Sequence, residues 1–486
     1  MMQAMTTERR GSGDGGIAPG IAPAPRLPPP VARERLLRIV AALETGLVER
    51  GPAVRLALLA ALAGEHTLLV GPPGTAKSQL ARRLHLAFED ARYFERLLTR
   101  YTVPEELFGP LSIRALEEDR YERRTAGFLP QASIAFVDEV FKANSAILNA
   151  LLTLLNEREF DNGPRREPCP LISVIGATNA IPEDEVGEAF YDRFLVRVPV
   201  AAVSADGFRR LLALDADLPA PEPLRDVERR AIADAARRAT LPEEVAGVLA
   251  ELRGWLAGEQ VYVSDRRWVQ IVRLLKVAAA TEDRTAVSTW DLWLLPWCAA
   301  PDAPRQDAVT GWLAARLGVG AALSPPRLTR VVEAFEAQVD LEEAADDLDY
   351  DDAGRLRFGA DLTGDVADAK GGAAAMRMTY VRRRRYGETH VAARVRQLDG
   401  VLERIGDALR DLEARRADLA RYRAGAVWMD EAFGRAAEES LAGTTSAVEA
   451  LRDRALAARR RFGALPRLPA DTGLAPEPVA HEPLAS

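Results

Sequence analysis

Apolar residues recur at helical spacing through residues 31–63 (Leu36, Leu37, Val40, Leu43 and Leu47, then Val54, Leu56, Leu58, Leu59 and Leu62), with a break at Gly51-Pro52. That pattern predicts two helices. A different kind of run follows at 66–70, His-Thr-Leu-Leu-Val, with counterparts at 133–137 and 171–177. Each is short and almost continuously apolar, and so reads as a strand buried on both faces of a parallel sheet. Residues 93–98 predict a further strand. Between these runs Leu80, Leu84 and Phe88 mark one helical face, and 144–156 carries Ile147, Leu148, Leu151, Leu152, Leu154 and Leu155 at helical spacing. Residues 203–298 are helical by spacing, and Trp255, Trp268, Trp290, Trp293 and Trp297 read as core. Further on, Val395, Leu398, Leu402, Ile405, Leu409, Leu412 and Leu419 keep alternating steps of three and four, with Arg416 in the missing seam position. That is a long helix with a coiled-coil seam. A second helix over 427–462 folds back on it, and 328–339 adds a third member of a small bundle. The fold class is therefore α/β, a parallel sheet followed by helical units.

The turn after the run at 66–70 carries the candidate chemistry. It reads Gly71, Pro72, Pro73, Gly74, Thr75, Ala76, Lys77, Ser78, close to the phosphate-loop pattern G-x-x-x-x-G-K-[ST]. Such a loop turns its N–H groups toward phosphate oxygens at the positive end of a helix. Gly71 and Gly74 permit that backbone path, Lys77 reaches the β- and γ-phosphates, and Ser78 places its hydroxyl on Mg²⁺. Ala76 stands where the general pattern has glycine and is expected to need a negative φ, because its Cβ disfavours the left-handed region. The bland alternative is a strand-turn-helix crossover whose lysine is merely solvated.

Downstream residues supply what the loop lacks for hydrolysis. Asp138 and Glu139 follow the run at 133–137, at the carboxyl end of a parallel strand, where ligands bind. Asp138 can share the Mg²⁺ with Ser78, and Glu139 can polarise the attacking water. Two acids opening a helix are the alternative. Asn179 lies just past the run at 171–177, after Thr178, where it either orients that water or starts an Asx-turn. Residues 159–166 carry the Asn162-Gly163 hairpin signal, with Arg165 and Arg166 near the tip as candidate contacts for a substrate or neighbour. Residues 102–130 read as short elements around a charge-balanced middle, either a solvated excursion or a partner-contacting loop.

Composition narrows the class. The chain has 486 residues, 48% hydrophobic and 28% charged, too long for one core and suited to about three units. No apolar run approaches the roughly 18 to 20 residues of a membrane helix. The first thirty residues hold Gly, Pro and Ala but no apolar signal core, so the chain is expected in the cytoplasm. Cys169 and Cys298 are far apart with no metal-ligand spacing, and read as two buried thiols. A net charge of −8 argues against a nucleic-acid surface as the main business.

With these residues in place, 31–298 resembles an AAA+ ATPase of the MoxR family, RavA-like branch. Gly71 to Ser78 resembles its Walker A, in which alanine before the lysine is usual. Phe136-Val137-Asp138-Glu139 resembles Walker B and Ala177-Thr178-Asn179 sensor 1. Residues 107–112 with 127–130 are similar to the helix-2 insert segment, and 159–166 to the pre-sensor hairpin, elements that commonly face the ring pore. The resemblance implies that Arg193, in Tyr191-Asp192-Arg193-Phe194, is an arginine finger, with Arg197 as fallback. It also implies that Arg266 is sensor 2, with Arg267 as the second candidate. Implied in turn are ATP and Mg²⁺ as cofactors, a homo-oligomeric, hexameric ring, and a partner with a von Willebrand factor A domain that the ATPase remodels or matures. The competing readings are a DNA-acting motor or helicase loader and a nucleotide-gated adaptor. The expected organisation is a disordered tail at 1–30, an α/β nucleotide-binding part at 31–202 and a helical lid at 203–298. A linker with one short helix near Trp312 follows at 299–326. A discontinuous helical domain at 327–466 holds a solvated acidic insertion at about 340–380, and 467–486 is a disordered tail. The intervening segment is too short for the β-domain of that branch.

Overall fold

The computed structural model describes residues 31–182, 185–214, 219–318, 325–348, 381–470 and 473–482. The tail expected at 1–30 and most of the acidic insertion lie outside them.

Two helices, α1 (Arg33–Glu44) and α2 (Gly51–Ala63), lead into strand β1 (His66–Val70). Helix α3 (Lys77–Leu84) and β2 (Tyr93–Leu97) follow, then two short helices, α4 (Pro104–Phe108) and α5 (Ile113–Leu116). Next come β3 (Ile134–Asp138), α6 (Ser145–Glu157), the hairpin β4 (Glu159–Asn162) and β5 (Arg165–Pro168), β6 (Ser173–Thr178), α7 (Glu185–Tyr191) and β7 (Phe194–Pro199). The five core strands stand in the order β2-β3-β6-β1-β7, all parallel. The apolar runs sit where their character demands: β6 is buried at every position, and β1 and β3 at all but the last. Ten of the thirteen residues of α2 are buried, because it is apolar all round and packs between the sheet and the helices beyond.

The helical part begins with α8 (Ala205–Leu212) and continues through α9 (Asp226–Arg238), α10 (Glu243–Gly258), α11 (Asp265–Thr281) and α12 (Leu295–Ala299). The stretch expected as a linker instead carries α13 (Ala303–Gly318), a 16-residue helix whose Val309 and Leu313 are fully buried. Its Ala and Gly content hid an amphipathic helix that packs on α12.

The C-terminal helices are α14 (Pro325–Ala344), α15 (Glu388–Gly425) and α16 (Glu431–Gly463). Between α14 and α15 a small antiparallel pair, β8 (Asp346–Leu348) and β9 (Val381–Arg383), sets Asp346 opposite Arg383 and Asp347 opposite Arg382. The ends of the acidic insertion and the basic run after it are thus paired strands rather than a solvated loop. The seam also differs by one step from the periodic pattern. Arg416 is exposed, while Arg394, Val401, Ala408 and Tyr422 are buried beside Leu398, Ile405, Leu412 and Leu419. Helix α15 packs against α14, α16 and the helices before them, so a wider arc is covered than one partner would need. The tail expected to be disordered is corrected in part. Residues 473–482 lie along the bundle, where Arg394 donates to the Glu477 carbonyl at 2.7 Å and Glu482 pairs with Arg330 at 3.0 Å.

Candidate nucleotide site

The phosphate loop leaves β1 between the ends of its neighbours. The Gly71 N–H donates to the Thr178 carbonyl at 2.9 Å, and the Val200 N–H donates to Val70 at 2.7 Å. A Cβ on Gly71 would meet the Val200 carbonyl oxygen at 2.0 Å, so this glycine is needed for space. Gly74 has open room around it but φ +79°, so there the need is conformational. Ala76 corrects an expectation. Its φ is +64°, in the left-handed region, and it caps α3 from that conformation. The loop imposes the turn and the methyl group tolerates it, at a cost of roughly 1 kcal/mol.

Lys77 donates from Nζ to the Gly71 and Pro72 carbonyls, both at 2.8 Å, while the Thr75 hydroxyl donates to Pro72 at 2.9 Å. Burial lowers the Lys77 ammonium, and the charges of Asp138 and Glu139 oppose that shift. Lysine and both carboxylates therefore share one pocket. Asp138 ends β3 half-buried and accepts from the Glu139 N–H at 2.9 Å. Glu139 is itself left-handed, φ 50°, and stands 3.4 Å from Lys142. Two non-glycine residues in this costly region, on either side of one lysine, mark a site whose geometry outranks backbone comfort. Strand β6 lies between β1 and β3, so Asn179 emerges between the loop and the carboxylates. The turn there is closed by the Thr178 hydroxyl, which donates to Ala180 at 2.7 Å and leaves the Asn179 side chain exposed.

This donor set fits a nucleotide triphosphate with its magnesium ion. Ser78 in the first turn of α3 and Asp138 across from it are hard oxygen donors, and Mg²⁺ is commonly held by one or two such groups together with substrate phosphates and water. Bound there, the ion would neutralise charge on the phosphates. Lys77, the loop N–H groups and the start of α3 would grip the phosphates directly.

One supporting residue is missing from the sequence reading. Arg50, 7% exposed, donates from Nε to the Thr75 carbonyl at 3.0 Å and from Nη2 to Ala201 at 2.6 Å, bracing the loop against the end of β7. The available signal was an arginine at the N-cap of α2, where the helix dipole disfavours a cation.

The arginines lie elsewhere. Arg267 is fully buried and donates to the carbonyls of Cys298, Asp192, Phe194 and Leu195. It is a brace between α11 and β7, and no longer a candidate for sensing nucleotide. Arg197, the fallback finger, is also buried, with its guanidinium 3.9 Å over the Tyr191 ring, and burial pushes it down to about 9. Arg193 is partly exposed and Arg266 is exposed, and the charge of Arg266 adds to burial in lowering the Arg193 guanidinium. These two neighbouring cations stand at the amino ends of β1 and β7, near Glu65 and His66. The phosphate loop is at the carboxyl ends, about 16 Å away along a five-residue strand. The structure therefore gathers Gly71–Ser78, Asp138, Glu139 and Asn179, and sets Arg193 and Arg266 apart from them.

The hairpin β4–β5 is locked to the segment carrying α4 and α5. Asn162, buried, accepts from the Arg123 N–H at 2.6 Å, and Phe108 stacks on Phe160 at 5.3 Å. Both tip arginines are exposed, and Arg166 pairs with Glu159 and Asp161 of its own hairpin and with Glu157 at the end of α6. Among the described residues no helix is long and apolar enough to cross a membrane.

Comparison with known proteins agrees with this geometry. Residues 34–231 match the family described as the MoxR domain in the MoxR-vWA-beta-propeller ternary systems, and residues 244–313 match the AAA lid domain. An uncharacterized protein of Methanocaldococcus jannaschii is 42% identical over 263 residues, which cover 54% of this chain and 69% of the relative. Chaperone MoxR1 of Mycobacterium tuberculosis is 29% identical over 195 residues, 38% of this chain and 51% of the relative. A solved structure of a putative ATPase from Cytophaga hutchinsonii aligns at 19% identity with a TM-score of 0.46, covering 55% of this chain and 86% of that one. The two family matches fall on the parallel α/β sheet and on the lid helices that follow it, and the chain belongs to the MoxR family of AAA+ ATPases.

Proposed function

We propose that this chain hydrolyses ATP as a head-to-tail ring, hexameric in the simplest form, and uses the cycle to remodel or mature a partner protein with a von Willebrand factor A domain. The observation that carries the ring is the separation of Arg193 and Arg266 from their own phosphate loop by the length of the sheet. Arg193 and Arg266 are adjacent cations with a carboxylate close by, Asp192 at 3.7 Å from Arg193, and in a head-to-tail assembly the further anion they meet is the neighbour's nucleotide. Glu139 polarises the attacking water, Asn179 orients it, and Arg193 from the next copy offsets charge on the transferred phosphoryl group. The partner class is supported by the vWA protein in the matched family's description, and the chaperone role by the name of the mycobacterial relative. The sheet and its flanking helices at 31–202 would bind nucleotide, the lid would run from 203 through α13, and the bundle beyond would present the RavA-like arm. The cytoplasm, which supplies ATP and Mg²⁺, is the compartment this reading calls for.

Complementation tests this reading. Arg193→Ala and Lys77→Ala are each expected to abolish turnover, the first by losing a finger worth roughly 10³ or more in rate. Mixed, they should recover part of it, because some interfaces then pair an intact loop with an intact finger. Glu139→Gln should keep ATP bound, lose at least about 100-fold in turnover, and hold the client in a pull-down. Full turnover by Arg193→Ala alone, or by Glu139→Gln, would refute the mechanism.

A further inference from the structure

Helix α8 begins just beyond the phosphate loop and shows solvent an apolar stripe. Ser204 caps it by accepting from the Gly207 N–H at 3.0 Å, and Phe208, Leu211 and Leu212 then follow at spacing i, i+3, i+4. Their exposures are 53%, 43% and 73%, and among the described residues nothing covers them. A surface helix ordinarily turns such a stripe inward.

The root of α8 is tied to the loop by a short polar line. The Glu49 carboxylate accepts from the Ser204 N–H at 2.8 Å and from the Ser204 hydroxyl, and these bonds hold it below the usual carboxylate range. A Cβ on Gly207 would collide with that same carboxylate. The adjoining Arg50 reaches the Thr75 carbonyl and the Ala201 carbonyl. A continuous line of contacts thus runs from the root of α8 through Ser204, Glu49 and Arg50 to Thr75 in the phosphate loop.

At the other end of the sheet, the surface bearing Arg193 and Arg266 also carries Tyr262, 89% exposed, and Val269, 71% exposed, on either side of Arg266 in sequence. A head-to-tail contact that delivers those arginines to a neighbour's nucleotide delivers Tyr262 and Val269 with them, to the flank where α8 is rooted. Both surfaces carry a polar rim around their apolar residues: Arg209 and Arg210, paired in the chain with Asp206 and Glu49, beside the stripe, and exposed Glu259 with Asp265, which pairs with Arg253, beside Tyr262.

We propose that Phe208, Leu211 and Leu212 seat Tyr262 and Val269 of a second copy of this chain, and that the line from Ser204 through Glu49 and Arg50 to Thr75 makes nucleotide binding sense that docking. The proposal rests on the ring reading and adds to it the surface and the coupling. Reciprocity follows: if assembly tightens nucleotide binding, nucleotide tightens assembly by the same factor. Arg50 acts here as a positioning residue through the loop.

The test uses the full chain carrying Glu139→Gln, so that ATP persists, with sedimentation velocity and a fluorescent ATP analogue as readouts. F208S/L212S should weaken assembly at least tenfold while the dilute monomer binds the analogue as before. Arg50→Gln should assemble yet lose the gain in nucleotide affinity on assembly, and Arg50→Lys should restore part of it. Leu212→Cys on one copy and Tyr262→Cys on another should join through a bismaleimide only when mixed, since Cys169 and Cys298 are buried. Undiminished assembly of F208S/L212S, or absence of the mixed cross-link in an assembled sample, overturns the seat. Loss of analogue binding by the dilute F208S/L212S monomer also overturns it, because the stripe would then hold the nucleotide base. An unchanged affinity gain in Arg50→Gln overturns the coupling. A parent that stays monomeric with ATP overturns the ring reading, and the seat with it.

Discussion

Arg267 donates from one guanidinium nitrogen to both the carbonyl and the carboxylate of Asp192, at 3.1 and 3.3 Å. That grip fixes the start of α11 against the start of β7, and it decides which of two adjacent arginines faces outward. Arg267→Ala should therefore act on stability. Four main-chain carbonyls lose their donor, at roughly 1 kcal/mol each, so a loss of about 4 kcal/mol is expected in denaturant unfolding. Arg266→Ala, at an exposed position, should leave stability within about 0.5 kcal/mol and lower hydrolysis only in assembled samples. Equal destabilisation by the two changes would contradict the division of roles.

The left-handed Ala76 makes a second contrast. Ala76→Gly removes the strain of its Cβ and should leave affinity for an ATP analogue within about threefold, with stability unchanged or raised by up to about 1 kcal/mol. Ala76→Val places a β-branched residue at φ +64° and should abolish analogue binding. If valine bound nucleotide as well as alanine, the loop would adopt another conformation when occupied.

At the far side of the lid, the turn between α15 and α16 plugs into the protein body. Trp428, 1% exposed, donates from its indole to the Thr281 hydroxyl at 2.8 Å, and Glu282 accepts from the Val427 N–H at 2.7 Å. Trp428→Ala empties a large core site and should cost about 3 to 5 kcal/mol. Because this turn joins hairpin to lid, limited proteolysis should then cut within 426–430 at rates the parent chain resists. A variant that loses stability without new cleavage there would place the damage elsewhere.

The sheet and nearly all of the loop chemistry were legible in the sequence because they are local. A buried parallel strand is a short apolar run, Gly71, Asp138 and Glu139 follow such runs directly, and Lys77 closes the loop that Gly71 opens. What escaped depends on contacts between distant segments. Nothing local distinguishes Arg266 from Arg267, since only the packing of α11 on β7 turns one inward. Arg50 escaped because its partners, Thr75 and Ala201, are 25 and 151 residues away. The seam of α15 shifted from Arg416 because periodicity reports one apolar stripe, whereas the helix meets several partners. The left-handed Ala76 shows a propensity rule overridden by the loop's hydrogen bonds and by the closeness of Val200 to Gly71.

His66 gives the chain an acid sensitivity with a defined window. Its Nδ1 accepts from the Val174 N–H at 3.0 Å, and Nε2 lies 3.3 Å from the Leu155 carbonyl, so the folded protein holds the neutral ring. Burial, aided by the Arg158 charge, pushes its pKa down to about 3. An unfolded histidine titrates near 6.5, so between these values the unfolded chain carries a proton that the folded chain refuses. Stability contributed by the neutral ring is complete above about pH 6.5 and is lost as pH falls toward 3. At pH 5 the loss from this residue is about 2 kcal/mol. His66→Asn keeps an acceptor for Val174 and has no titrating ring, so it should start less stable at pH 7.5 and decline less between pH 7.5 and 5. Unfolding curves for both proteins across that range measure the difference, and parallel declines would assign the acid sensitivity to other groups.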